Sequence, residues 1–309
     1  MARNARANDF PARPIRLVIP YTAGAAGDLI GRPWVDKIAG SLGPAYVENL
    51  AGAGGALGTA AVAQSAPDGY TLLLGNGSTQ IMIPLTSARP AYDPIGDFRA
   101  IYRLITSTLG FAIHPSLPVN DLQELAAYAT ANPGRVSYGT PGVGTGNHLV
   151  GEMFRQEFNI LEMVHVPYRG MGPAINDLVG GHLPLAIAVV SSQLLELHRS
   201  GKLRLLAVTS ETRLSGAPEV PTVIESGAPN LRYAGWFGLF APRATPDAIV
   251  DRIAAATRLV MANTELQETY RAQGMEPDAD SGPDRFQRLI DDERARLTPV
   301  IQAIGLRRD

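Results

Sequence analysis

Apolar residues along this chain fall into two alternating signatures. Short, branched, nearly continuous runs, the first at Ile15 to Pro20, have the pattern of parallel strands buried on both faces. Between them, apolar positions recur at helical spacing. Leu29, Ile30, Trp34, Ile38 and Leu42 predict a helix that Asp28 favours at its start and Gly43-Pro44 stops. Further strands are predicted at Tyr46 to Asn49, Tyr70 to Leu74 and Arg99 to Leu104, with an alanine-rich helix over Leu57 to Gln64. This β-α-β alternation predicts a parallel sheet with helices on both sides.

A second cycle begins after about residue 111. Helices are predicted at Asp121 to Ala131, His148 to Glu157, Pro173 to Val179 and Gln193 to Arg199, and strands at Val136 to Gly139, Met163 to Val166, Leu185 to Val190 and Arg204 to Thr209. Tyr233 to Ala241 reads as an apolar strand passing back, followed by helices at Ala248 to Met261, Glu265 to Gln273 and Asp284 to Ala303. The predicted fold class is α/β with two lobes, each a mainly parallel sheet flanked by helices. Residues 14–110 and 232–309 are expected to form lobe 1, and 111–231 lobe 2. A length of 309 residues exceeds the size at which one core usually stops growing, in line with two lobes. The connections near 110 and 232 read as crossover strands rather than tethers, a geometry suited to a hinge.

Charge is nearly balanced, with 27 basic and 29 acidic residues and no long single-sign run, so neither nucleic acid nor direct membrane insertion is expected. The longest apolar stretch, around Leu183 to Val190, is interrupted by Pro184 and too short to span a bilayer. The absence of cysteine excludes disulfides, thiolate metal sites and a cysteine nucleophile. Ala5-Arg-Ala7 has the small-x-small form of a leader cleavage site, so a signal peptide already removed is one expectation, and an accidental match in an alanine-rich chain is the other.

Two small-residue loops concentrate the candidate chemistry: Tyr21 to Asp28, and Tyr138 to His148 with its Gly-Thr-Pro-Gly-Val-Gly-Thr-Gly-Asn run. Each leaves a predicted strand and enters a predicted helix. Small residues let backbone N–H groups approach a ligand, and a helix start adds orphan donors and the positive end of the macrodipole. Nucleotide binding fails on spacing, because the third glycine of a dinucleotide turn would fall at Asn147 or Leu57, and neither loop carries a P-loop lysine. Ordinary tight turns are the structural alternative. In open parallel sheets ligands bind beyond the carboxyl ends of strands, which adds Gly75 to Thr79 and Ser191-Ser192 to the candidate set. All these junctions offer glycine, hydroxyl or amide donors and almost no carboxylate. No cofactor or metal is expected.

At these residues the chain resembles the Bug-type solute-binding receptors of tripartite tricarboxylate transporters. The resemblance runs from about Pro14 to the C-terminus. It is carried by Pro14-Ile-Arg-Leu-Val-Ile-Pro20 with Asp28, Val47-Glu-Asn49, Gly52-Ala-Gly-Gly55, Ala66-Pro-Asp-Gly-Tyr-Thr-Leu-Leu73 and Tyr92-Asp-Pro94. It continues through His165-Val-Pro-Tyr168, Asp177-Leu-Val-Gly-Gly181, Gly201-Lys-Leu-Arg204, Leu206-Ala-Val-Thr209, Pro218-Glu-Val-Pro-Thr222 and Trp236-Phe-Gly-Leu239. The resemblance implies a periplasmic Venus-flytrap protein, expected to be monomeric, that delivers a small carboxylate to membrane transporter subunits. It also implies that the loops at Tyr21 to Asp28 and Thr140 to His148 clamp one carboxylate through backbone groups, hydroxyls and ordered water. The usual Pro-Gly-Gly of the first loop is Ala23-Gly24-Ala25 here, and the usual Arg-Pro after Glu-Asn is Leu50-Ala51. Many relatives carry an acidic residue within the stretch Pro184 to Val190, where this chain has none, so the expected ligand is a dicarboxylate or aromatic acid without an amino group.

The expected ligand-binding residues are Tyr21, Thr22, Ala23, Gly24 and Ala25 of the first loop, then Asn76, Gly77 and Ser78. To these are added Thr140, Pro141, Gly142, Gly144, Thr145, Asn147 and His148, with Arg169 and Ser191. Each has a plainer alternative. Tyr21 reads equally as a packed ring, Asp28 better as a helix-start residue than a ligand group, and Trp236 and Phe237 as core. His148 reads as a ligand donor or a helix cap, and Arg169 as a partner for a distal carboxylate or a solvated side chain. Rival functions are a sensor domain for a signalling partner and a small-molecule hydrolase. The latter lacks a Gly-x-Ser-x-Gly elbow, a His-Glu-x-x-His motif and paired acids in the candidate loops.

Overall fold

A computed structural model describes residues 10–214 and 216–305, so the Ala5-Arg-Ala7 pattern lies outside the described residues. The chain opens with β1 (Ile15–Ile19), α1 (Ala26–Leu42), β2 (Ala45–Asn49), α2 (Ala56–Ala63) and β3 (Thr71–Asn76). β1 runs parallel to both β2 and β3, with Leu17 opposite Val47 and Leu72. Ile15, Leu17, Val18 and Ile19 are all fully buried, which is why the run shows no polar alternation. A π-helical turn over Ser78–Met82 and the short α3 (Ile83–Thr86) then lead into β4 (Phe98–Ile113).

The second cycle comprises α4 (Leu122–Ala131), β5 (Ser137–Thr140), α5 (Gly146–Glu157), β6 (Val164–Pro167) and α6 (Met171–Val179). It closes with β7 (Leu185–Val189), α7 (Ser192–Arg199) and β8 (Arg204–Val208). The chain returns through β9 (Ala234–Pro242) to α8 (Asp247–Met261), α9 (Thr264–Ala272), β10 (Met275–Pro277) and α10 (Pro283–Ile304). The strand order is β2-β1-β3-β9-β4-β7-β5-β6, with β8 and β10 also pairing with β4.

Parallel ladders occupy the outer parts of this arrangement, where β1 joins β2 and β3, and β5 joins β6 and β7. Between them every ladder on β4 or β9 is antiparallel. β4 is shared: from Phe98 to Thr108 it pairs with β9, and from Leu109 to Ile113 with β7. The sequence expectation ended this strand at Leu104, before the polar Thr106-Ser107-Thr108. The structure carries it on to Ile113, with Ser107 and Thr108 buried where the strand passes from one half to the other.

Thr209, fully buried, ties the two crossing segments together. Its N–H donates to the Leu109 carbonyl (2.9 Å), its carbonyl accepts from Tyr233 N (3.0 Å), and its hydroxyl accepts from Leu109 N and donates to the Tyr233 carbonyl. Among the described residues no helix is long and apolar enough to cross a membrane.

Close approach of backbone fixes how α2 sits on β1. A Cβ added to Gly58 would lie 2.5 Å from the Leu50 carbonyl oxygen and 3.0 Å from Pro20 Cα, both main-chain atoms that cannot rotate away. In an open helix, alanine is about 1 kcal/mol better than glycine. Overpacking of this kind costs about 1–3 kcal/mol, so Gly58→Ala is expected to lower the melting temperature. An unchanged or raised Tm would show that α2 can move off Pro20.

Candidate functional site

The loop between β1 and α1 is held open by a buried carboxylate that faces away from the cleft. Asp28, only 5% exposed, accepts from Gly24 N (2.6 Å), Arg32 Nε (2.6 Å) and Asn49 Nδ2 (3.3 Å). Asn49 Nδ2 also donates to the Tyr21 carbonyl at 3.1 Å. Gly24 has φ +81°, a left-handed conformation that glycine adopts without penalty, and this turn aims its N–H at Asp28. The helix N-cap, Ala25, offers no side-chain acceptor. The Ala26 and Gly27 amides, in the first turn, have no carbonyl four residues back, and both residues line the cleft.

At the end of β3, the Tyr21 hydroxyl lies 3.1 Å from Asn76 Oδ1 and 2.9 Å from Nδ2. Burial pushes this hydroxyl up to about 12, against the opposing pull of hydrogen bonds to Asn76 and Ser78, so at neutral pH it is an uncharged donor. Asn76 is fixed in turn by Thr79, whose N–H donates to Oδ1 (3.1 Å) and whose hydroxyl accepts from Asn76 N (3.0 Å).

The loop between β5 and α5 is braced from beneath. Thr145 caps α5: its hydroxyl accepts from His148 N (3.3 Å) and donates to the Gly142 carbonyl (2.8 Å). The Thr140 hydroxyl, fully buried, sits 3.2 Å from both Gly142 N and Gly142 O and 2.6 Å from His165 Nε2. His148 and His165 stack with ring centres 3.8 Å apart and planes 13° from parallel. His148 Nδ1 accepts from Gly144 N (3.2 Å), so that nitrogen carries no proton. Tyr138 hydrogen-bonds Glu152, and Arg155 pairs with the same carboxylate at 2.8 Å. Burial lowers His148 to about 4, helped by Arg155, and lowers His165 to about 3, helped by His148.

These loops face each other across a cleft of about 920 Å³. Of the residues expected at the site, Tyr21, Thr22, Gly24 and Ala25 line it from one side, with Asn76 and Ser78. Pro141, Gly142, Thr145, Asn147, Arg169 and Ser191 line it from the other. The expectation needs correcting at Ala23, Gly77, Thr140, Gly144 and His148, which are not in the lining. Thr140 and His148 turn under the loop as its supports, and Gly144 gives its N–H to His148. Gly77 lies behind, where a Cβ would meet the Tyr233 hydroxyl at 3.3 Å, and Ala23 is exposed outside the rim. Asp28, read as a helix-start residue, is absent from the lining; Phe237, read as core, is buried in a core cluster and also reaches the lining. The expected site left out the Gly52 to Gly55 segment, weighed as a phosphate motif and named as a carrier of the family resemblance, and the apolar residues Leu29, Met171 and Ile175.

The halves touch at the rim. A Cβ on Gly54 would lie 3.7 Å from the Val143 carbonyl oxygen, and one on Gly170 would lie 3.2 Å from Thr22 Oγ1. Deeper in, Gly146 N donates to Ser78 Oγ at 3.0 Å, joining the start of α5 to the turn after β3. Among the described residues, Arg169, exposed and with no hydrogen-bond or ion-pair partner, is the single charged residue in the lining. Among the described residues no group of three or more His, Asp or Glu side chains could hold a metal.

A family model described as the tripartite tricarboxylate transporter family receptor, TctC, matches residues 30–306. The chain belongs to this family. Protein BugT of Bordetella pertussis is 34% identical over 308 residues, covering 99% of this chain and 93% of BugT. Among solved structures, the periplasmic binding protein BugD superposes with a TM-score of 0.90 at 29% identity, covering 97% of this chain and all of BugD (100%). Rpa4515 of R. palustris, solved with adipate, gives 0.91 at 29% identity over 97% of this chain and 99% of that one. MatC of Rhodopseudomonas palustris, solved with malate, gives 0.89 at 28% identity over 94% and 100%. This TctC-family chain thus shares the two-lobed periplasmic-binding-protein fold of its relatives.

The supports beneath the two loops generate separate expectations. Because His148 and His165 are neutral in the folded protein down to about 4 and about 3, the unfolded chain binds more protons below its ordinary value near 6.5. Their contribution is therefore fully present above pH 6.5 and falls as pH drops below it, to about 4 for His148 and about 3 for His165, measurable by urea denaturation across that range. His148→Gln and His165→Gln together should flatten this part of the profile. In the first loop, Asp28→Asn sets an amide donor against Arg32 or Gly24 and should cost about 1–3 kcal/mol in the same assay.

Proposed function

We propose that this chain captures a small carboxylate without an amino group, a dicarboxylate or an aromatic acid, and delivers it to a tripartite tricarboxylate transporter from the periplasm. The observation that carries this reading is the cleft itself. Neutral donors from two helix starts and from Tyr21, Asn76, Ser78 and Thr145 converge there, with one cation and no carboxylate in the lining. Such donors stabilise a desolvated anion by charge-assisted hydrogen bonds without a fixed counter-ion. Ala188 and Val189 of β7 line the cleft where an amine would need an acidic partner. The relatives solved with adipate and malate support the carboxylate class.

Capture is by closure. Residues 14–110 with 232–309 move as one lobe and 111–231 as the other, about the β4 and β9 crossing tied at Thr209. Gly54 beside Val143 and Gly170 beside Thr22, where even an added Cβ would come into contact, are the points at which the jaws would meet on closing. As a receptor the chain returns its ligand unchanged.

A ligand that binds only the folded form adds about 2.7 kcal/mol of stability at a hundred times its dissociation constant. A thermal-shift screen is therefore expected to give hits among mono- and dicarboxylates, and Tyr21→Phe should weaken those hits roughly two- to tenfold. Aspartate or glutamate binding far more tightly than every unaminated acid would overturn the reading, as would turnover of a bound acid.

A further inference from the structure

We infer that the ligand is a monocarboxylate with an apolar body, a ring or a branched chain, rather than a diacid. The inference rests on the carboxylate reading above and narrows it. Beyond the polar loops, the cleft is walled by Leu29, Met171, Ile175, Val189, Leu194 and Leu197. Met171 and Ile175 sit four residues apart on α6, and Leu194 and Leu197 three apart on α7, so each pair presents one helix face. All four belong to one apolar cluster that packs α6 and α7 together.

Polar groups on this side are few. The Tyr168 hydroxyl donates to Asp177 Oδ2 at 2.7 Å, and the Ser191 hydroxyl, which caps α7 by accepting from Leu194 N, keeps a single O–H to offer. Gln193 is exposed. A second carboxylate laid against this wall would exchange its water shell for little more than that one hydroxyl, and a buried charge is tolerated only when paired. Arg169 is the sole cation within the lining, and it is exposed, where an ion pair contributes little. An apolar ring or branched chain meets no such penalty, and its transfer from water favours binding.

Calorimetry on the full chain with matched acids tests this. Phenylacetate and cyclohexanecarboxylate are expected to bind at least tenfold more tightly than adipate or malate. Met171→Gln, at a half-buried wall position, should weaken the ring acids several-fold and adipate less, while Arg169→Gln should weaken the ring acids by no more than about twofold. Adipate or malate binding more tightly than the ring acids, or a tenfold loss of diacid affinity in Arg169→Gln, would overturn the inference while leaving the carboxylate reading standing. Phenylacetamide binding as tightly as phenylacetate, or no acid binding at all, would instead bring down the carboxylate reading and this inference with it.

Discussion

One strand running through both halves is the constraint on which the site depends. β4 pairs with β9 as far as Thr108 and with β7 from Leu109, so the two outer parallel arrays grow from a common antiparallel seam. The second crossing, between Thr209 and Tyr233, is hydrogen-bonded to the first through a single buried threonine. With both crossings joined, the two halves share one continuous hydrogen-bonded seam. That arrangement makes the strand-to-helix loops after β1 and β5, more than a hundred residues apart in the chain, face each other.

Carboxylate charge is kept out of the cleft in the same way on both sides. Asp28 is buried, paired with Arg32 and turned toward the underside of its loop, where it orients Gly24. Glu152 lies beneath the other loop, bonded to Tyr138 and Arg155. Between it and the loop stand two imidazoles that burial keeps neutral, one accepting from Gly144 and one bonded to Thr140. What faces the ligand is the product of these supports: amides and hydroxyls whose directions are set, and whose dipoles need no reorganisation when an anion arrives. Tyr21 fits this logic, since burial keeps its hydroxyl protonated.

Local pattern made much of this legible in advance. β1, α1, the helices after residue 240 and both small-residue loops could be read directly, because burial on two faces, helical periodicity and strand-to-helix turns leave a trace within a few residues. The continuation of β4 through Thr106-Ser107-Thr108 left no such trace. The buried Thr108 hydroxyl finds its partner in Thr209, on a crossing segment a hundred residues later. β10 and the π-helical turn after Gly77 were equally silent, being short and defined by what they pack against.

The sequence by itself determined the class of chemistry on offer: two glycine-rich helix starts and no paired acids in the candidate loops put backbone, hydroxyl and amide donors there in place of carboxylates. Only the tertiary structure decided which of those residues reach the cleft. Thr140 and His148 were expected to face a ligand, yet parallel pairing of Tyr138 with His165 brings the two histidines into a stack under the loop and turns both side chains inward. The apolar wall of Leu29, Met171 and Leu194 likewise comes from three separate helices. Strand register and the facing of lobes are long-range geometry, and no window of local sequence encodes which distant side chain will stand opposite.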